Sequence, residues 1–236
     1  MLEMQNLLLH QDGFKLLACV PYLRPKIYAV MGPSGAGKST LLLALAGFMP
    51  LESGALYWQG QEITACRPAE RPMAMLFQDN NLFPHLTAER NVALAVTQRK
   101  AVSLQTRKNI QTALARVGLG GLGSSKPGQL SGGQQSRVAL ARVLLQDKPI
   151  LLLDEPFNAL GPALKNDMLD LLQSLAQERQ ALVLMVTHNP QDALRIAQET
   201  LVVSDGTVSP PMPTAQLLAE PPSALAAYLG KNATRR

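Results

Sequence analysis

The chain has 236 residues and carries 22 Lys and Arg against 17 Asp and Glu, a net charge of +5. With 47% hydrophobic and 17% charged residues, it has the composition of a globular protein with a large core, which excludes a disordered or acidic solvating chain. Two cysteines, Cys19 and Cys66, are too few for a disulfide framework and match no metal-ligand spacing, so both are expected as free thiols in a reducing compartment.

In chain order, residues 1–14 show no basic n-region, no long apolar stretch and no small-residue cleavage site, so no secretory leader is expected. Residues 26–31 (KIYAVM) read as a short strand ending in a glycine-rich loop, and the leucine-rich segment 38–47 as the helix that follows. Two further strand-like runs, 54–58 (GALYW) and 73–77 (MAMLF), are expected to extend that sheet. From Thr87 to about Gly118 the pattern turns helical, and Gly118 suits the position just past a helix end. At 150–153, ILLL is a continuous apolar run, as in a strand buried on both faces, and its expected partner is 181–186, ALVLMV. Pro162 opens a helix reaching about Arg179, and Pro190, after Asn189, opens another. Alternating strands and helices predict an α/β fold with a parallel sheet and crossover helices. After the Asp205-Gly206 turn, a proline- and alanine-rich tail over 207–236 ends in basic residues and is too short for a regulatory domain. No stretch reaches about 18 uninterrupted apolar residues, so no membrane-spanning helix is expected. The whole of 1–236 is expected to form one domain.

Gly32-Pro33-Ser34-Gly35-Ala36-Gly37-Lys38-Ser39-Thr40 fits the pattern G-x-x-x-x-G-K-[ST] and lies between a predicted strand and a predicted helix, where a phosphate-binding loop must lie. Its glycines let successive N–H groups turn inward on phosphate oxygens, and the helix N-terminus adds positive charge. Lys38 is expected to meet the β- and γ-phosphates of ATP and Ser39 to offer its hydroxyl to Mg²⁺; Thr40 adds a neighbouring hydroxyl. Asp154 follows the ILLL strand directly, at the sheet edge where ligands of open α/β sheets bind, and is expected to hold the metal. Glu155, the next residue, is expected to orient or deprotonate the attacking water.

Leu130-Ser131-Gly132-Gly133-Gln134 resembles the LSGGQ signature of ATP-binding-cassette (ABC) ATPases. The resemblance implies a P-loop NTPase core with an antiparallel β subdomain and a helical subdomain inserted at about 84–148. It also implies a homodimer packed head to tail, in which Ser131, Gly132, Gly133 and Gln134 of one subunit close on the ATP held by the P-loop of the other. A serine and glycine N–H groups at a helix start are chemically suited to that second anion site. By the same resemblance, Gln78 aligns with the glutamine that contacts metal and water, and His188 with the histidine that reaches the γ-phosphate.

Two departures stand out. The family usually continues past the catalytic glutamate with serine-alanine-leucine-aspartate, whereas this chain has Asn158-Ala159-Leu160-Gly161. The missing aspartate helps couple the two sites of the dimer. An adenine-stacking aromatic is expected near residue 11, where Gln11 stands, leaving His10 and Phe14 as substitutes.

The stretch from Arg71 to Thr87 and the run from Phe157 to Leu164 resemble the ATP-binding subunits of bacterial thiamine importers. Importer ATPases for iron, sulfate and polyamines share much of this pattern, and most carry an extra C-terminal domain. The resemblance implies integral membrane permease subunits as partners, a periplasmic solute-binding protein acting indirectly, and a peripheral place on the cytoplasmic side of the inner membrane. The permease is expected to dock near residues 78–85, where Leu82 and Phe83 are either surface anchors or core. A soluble cassette ATPase acting on nucleic acid is the rival reading, which the positive charge favours; the chain lacks the coiled-coil insert or second cassette usual in such proteins, so no nucleic-acid partner is expected.

Overall fold

The structure is a computed structural model that describes residues 1–11, 13–97 and 102–230. The strands among these residues are β1 (Leu2–Gln11), β2 (Phe14–Leu23), β3 (Ile27–Met31), β4 (Ser53–Trp58), β5 (Gln61–Glu62), β6 (Met73–Leu76), β7 (Ile150–Asp154), β8 (Leu182–Val186), β9 (Glu199–Ser204), β10 (Thr207–Val208) and β11 (Met212–Pro213). Their order across the sheet is β5-β4-β1-β2-β10-β9-β3-β8-β7-β6, with β11 also on β9. The helices are α1 (Lys38–Ala46), α2 (Ala88–Ala93), α3 (Leu104–Arg116), α4 (Gly132–Leu145), α5 (Pro162–Glu178), α6 (Pro190–Ile196), α7 (Thr214–Ala219) and α8 (Ser223–Leu229).

The sheet has two characters. Strands β9, β3, β8, β7 and β6 run parallel, and β3, β6, β7 and β8 are buried along their whole length. Continuous apolar sequence is what burial on both faces requires. Strands β4, β1 and β2 form an antiparallel wing whose buried residues alternate, as at Leu16, Ala18 and Val20 of β2. Of the two runs expected to extend the P-loop strand's sheet, 73–77 does so as β6, on β7. The other, 54–58, lies in the antiparallel wing as β4, paired with β1.

Helices α2, α3 and α4 pack on one another through Val92, Ile110, Leu114 and Val138, each at most 3% exposed. The helix starts follow local chemistry. Thr87, Ser103 and Asn189 each accept a backbone N–H in the first turn of α2, α3 and α6, and proline opens α5 and α6. The tail is more ordered than its composition suggests: it supplies β10, β11, α7 and α8, and Leu217 and Leu225 are fully buried. Its basic end, 231–236, lies outside the described residues, as do 98–101 within the predicted helical stretch. Cys19 and Cys66 are free.

One buried cation fixes the P-loop helix to its surroundings. Arg71 is 4% exposed, and its guanidinium donates to the carbonyls of Ala44 (2.8 Å), Leu45 (2.5 Å), Thr64 (2.7 Å) and Cys66 (3.1 Å). The first two are carbonyls of the last turn of α1; Ala44 also accepts from the Gly47 N–H at 3.0 Å. A lysine carries one point of charge and cannot span this fork. We expect Arg71→Lys to cost about 2–4 kcal/mol of unfolding free energy, through buried carbonyls left unpaired, read as a fall in the urea midpoint with the slope unchanged.

Candidate active site

The loop between β3 and α1 turns because its glycines occupy backbone space closed to other residues. Gly37 has φ +98°, and a Cβ there would stand 2.5 Å from the Phe14 ring. Gly32 has φ +153°, and a Cβ would stand 2.0 Å from the Val203 carbonyl oxygen on β9. The chain must therefore pass here as bare backbone, with its N–H groups free to face a phosphate.

Lys38 opens α1 and is 8% exposed. Its ammonium donates to the carbonyls of Gly32 (3.0 Å) and Pro33 (2.8 Å), which folds the side chain back over the loop. Burial pushes its pKa down, opposed by the nearby charges of Glu155 and Asp154. A cavity of about 310 Å³ opens over the loop, lined by Phe14, Ser34, Gly35, Gly37, Lys38, Ser39, Thr40, Gln78 and Glu155. Gln78 thus meets the P-loop from the end of β6, although the two are far apart in sequence.

Asp154 ends β7 and is 4% exposed. Burial pushes its carboxyl up, and a hydrogen bond from Ser39 and the charge of Lys38 pull the other way. Its Oδ1 is buried with no hydrogen-bond partner. An unpaired carboxylate oxygen beside a serine hydroxyl is a poor structural arrangement and a suitable oxygen donor set for a hard divalent cation. The residues present therefore fit Mg²⁺.

Glu155 stands in the left-handed region (φ +47°), which is costly for a residue with a side chain. Its N–H is pinned to the Val186 carbonyl at 3.2 Å. His188, just past β8, brings Nδ1 to 3.6 Å from Glu155 Oε2, and Asn158 donates its side-chain amide to the same oxygen. From the tail, Tyr228 of α8 lies within electrostatic reach; burial, and then the charge of Glu155, push its hydroxyl up. Nothing in the tail's composition signals this approach.

The structure does not bring the LSGGQ residues into this cavity. Ser131 caps α4, accepting from the Gln134 N–H, while Gln134 accepts from the Ser131 N–H. Gly132 and Gly133 pack against Ala159 and Leu160 instead. None of these four residues lines the cavity over the P-loop of its own chain. Of the two substitutes for the adenine-stacking aromatic, Phe14 lines the cavity, whereas His10 is engaged with Glu52 at 3.2 Å. Gly161 caps α5 with ordinary extended backbone (φ −65°), and a Cβ there would meet nothing. Sterics do not account for the missing aspartate.

The ABC transporter family model matches residues 23–158, which hold the P-loop, Gln78, the LSGGQ segment, Asp154 and Glu155. The chain belongs to the ABC transporter family. It binds ATP and couples its hydrolysis to transport. Among its relatives, thiamine import ATP-binding protein ThiQ of Ruegeria sp. (strain TM1040) is 52% identical over 230 residues, covering 98% of this chain and all of the relative. The protein of the same name from Cereibacter sphaeroides is 53% identical over the same span and coverage. A solved dimeric structure of the ATP-binding cassette MJ0796, bound to ADP and Pi in a post-hydrolysis state, superposes with a TM-score of 0.79 at 29% identity. It covers 91% of this chain and 99% of that one.

Sequence reading missed three residues that shape this cassette. Asn91, fully buried in α2, accepts from the Phe83 N–H and donates to the carbonyls of Phe83, Leu86 and Thr87, so it sets the loop after Gln78. Arg142 of α4 donates to the carbonyls of Asn80 and Asn81, both at 2.7 Å, and ties the same loop to the LSGGQ helix. Asn158 is the third. Asn91 and Arg142 bond to the backbone of an irregular loop, which has no spacing by which to be recognised; Asn158 stands out in the sequence only as a departure from the family, and its bond is to the Glu155 carboxylate.

Proposed function

We propose that this chain is the ATP-hydrolysing subunit of a bacterial thiamine importer, working as a homodimer on the cytoplasmic face of the inner membrane and driving a separate permease. The observation that carries the cargo is identity of about half the residues, over 98% of the chain, to thiamine import ATP-binding proteins. Among the described residues no helix is long and apolar enough to cross a membrane, which supports a separate permease.

The cavity residues have a division of labour. Backbone N–H groups of residues 34–40 and the Lys38 ammonium hold the β- and γ-phosphates of ATP, with Lys38 exchanging its two carbonyl partners for phosphate oxygens. Ser39, Asp154 and Gln78 hold Mg²⁺, which when bound neutralises phosphate charge. Glu155 takes the proton of the attacking water, and His188 turns from Glu155 toward the γ-phosphate. Ser131 to Gln134 serve the partner's ATP, a reading supported by their absence from the lining of their own P-loop cavity and by the dimeric relative. ATP then favours the closed dimer through its differential affinity, and hydrolysis releases it.

The permease is assigned to a second trough, of about 610 Å³, between the core and α4; Phe48, Met75, Phe77, Leu82, Phe83 and Arg142 line part of it. Phe48 and Phe83 are 55% and 48% exposed, while Leu82 is partly buried against the core. Large exposed aromatics around an apolar trough mark an interaction site. Its position carries the coupling: Phe77 and residues 81–83 line the trough, and Gln78, in the same segment, lines the ATP cavity.

The deciding experiment is ATPase activity of the complex recovered from detergent-solubilised membranes, with and without thiamine and its solute-binding protein. Stimulation by thiamine is the expected result; a membrane partner with activity indifferent to thiamine would sink the cargo and keep the motor. Phe14 gives a separate prediction at the base. Stacking on an aromatic is worth about 1–3 kcal/mol per base, so Phe14→Ala is expected to weaken ATP binding about 10-fold with kcat within about twofold, measured by fluorescent-nucleotide titration. Unchanged affinity would remove Phe14 from the adenine site.

A further inference from the structure

The loop after the catalytic glutamate departs from the family at two of four positions, and only one departure leaves a polar group there. In Asn158-Ala159-Leu160-Gly161, Asn158 is the sole polar side chain. Its backbone N–H meets the Glu155 carbonyl at 3.5 Å, closing a turn through Pro156 and Phe157. Phe157 and Leu160 are 4% and 7% exposed, so the turn is anchored in the core. That anchoring sets the Asn158 side chain on the same side as the Glu155 carboxylate, and the Asn158 Nδ2 donates to Glu155 Oε2. A serine, the usual family residue, carries only a hydroxyl on Cβ and no amide that reaches as far.

The choice of oxygen gives this contact its meaning. Asn158 and His188 both approach Oε2, and among the described residues no side chain or backbone group donates to Oε1. The glutamate's backbone is already fixed by its left-handed φ and its bond to Val186. With Oε2 tied as well, rotation of the carboxyl group is restricted, and Oε1 is left as the free acceptor of a residue that lines the cavity.

We propose that Asn158 is a positioning residue for ATP hydrolysis: its amide holds Oε2 of Glu155, so that Oε1 alone faces the attacking water. This rests on Glu155 as the general base. Asn158 touches neither nucleotide nor water; it acts through Glu155. His188 must leave Oε2 to reach the γ-phosphate, and Asn158 keeps the carboxylate in place when it does.

The test compares Asn158→Leu, which keeps the shape and loses the donor without adding a charge beside Glu155, with Asn158→Gln, which keeps a donor. Full-length protein is used, with kcat, KM for ATP and thermal midpoint measured on each. The Leu variant is expected to lose about 10- to 100-fold in kcat, the range set by loss of positioning at a reacting group, at unchanged KM and midpoint. The Gln variant is expected to stay within about threefold of native. A purely structural role would lower both variants together with the midpoint. Native kcat in Asn158→Leu, or equal loss in both variants, overturns the proposal. A second readout does not need turnover: the Asn158 side-chain amide resonances of the nucleotide-free protein should lose their downfield shift in Glu155→Ala, and if they do not move the contact is absent and the proposal falls. Native-rate hydrolysis by Glu155→Gln would sink the general base and this proposal together. Loss in Glu155→Gln with native rate in Asn158→Leu would sink this proposal alone.

Discussion

Glu155→Gln is expected to bind ATP as the native chain does and to hydrolyse it about 10²- to 10⁴-fold more slowly, the range set by loss of a general base. The substitution is nearly isosteric, and its carbonyl oxygen can still accept from the Asn158 amide that now meets Oε2. Its backbone keeps the bond to Val186, so the fold and the P-loop should be undisturbed. Only the ability to take a proton from water is lost. On the proposed mechanism hydrolysis opens the closed dimer, so the variant should accumulate as an ATP-bound dimer. Size-exclusion with light scattering, with and without ATP, gives that readout independently of the rate. A native rate in this variant would move the base elsewhere, and a monomer in saturating ATP would break the link between hydrolysis and opening.

What could be read from the sequence divides by the range of the physics involved. The P-loop was legible because its chemistry is local: the glycines, Lys38 and Ser39 each act within a few residues of one strand-to-helix turn. Strands β7 and β8 were legible because burial on both faces demands an unbroken apolar run, and nothing else in the chain looks like ILLL followed by Asp-Glu. The antiparallel wing was harder to delimit. Buried Leu2 and Met4 alternate in β1, then the phase jumps at Asn6 (φ +49°) to Leu7 and Leu9, where the pairing with β2 also shifts register. A bulge resets the period of two on which strand recognition depends. Strand β9 offers only a short apolar stretch, and helices α7 and α8 owe their order to packing of Leu217 and Leu225, which tertiary structure alone supplies.

The candidate site divides in the same way. Position along a strand was enough to set Asp154 and Glu155 at the sheet edge, and resemblance to the family brought in Gln78, His188 and the LSGGQ segment. Neither could decide between His10 and Phe14, because the choice depends on which side of a hairpin faces the P-loop. Neither showed Arg142 and Asn91 holding the loop between the ATP cavity and the trough, since their partners are backbone carbonyls with no sequence identity.

Asp154→Asn is expected to raise the stability of the nucleotide-free chain while abolishing its response to Mg-ATP. The carboxylate is almost fully buried, and Oδ1 has no partner; Ser39 and Lys38 compensate only in part, since burial still pushes its pKa up. An acid whose folded pKa lies above its unfolded value binds its proton more tightly in the native state. The cost is therefore present at neutral pH and is relieved as pH falls through the raised value. An amide carries no charge to desolvate, so the free variant should gain about 1 kcal/mol and about 2–4 °C in melting midpoint, and the relief on acidification should vanish with it. Ligand at 100 times its Kd stabilises the native state by about 2.7 kcal/mol, and this increment should be lost in the variant for Mg-ATP. The two melting curves should thus cross: the variant higher when free, the native chain higher with Mg-ATP. A variant less stable than native when free would make Asp154 a structural residue. An undiminished Mg-ATP shift would remove it from the metal.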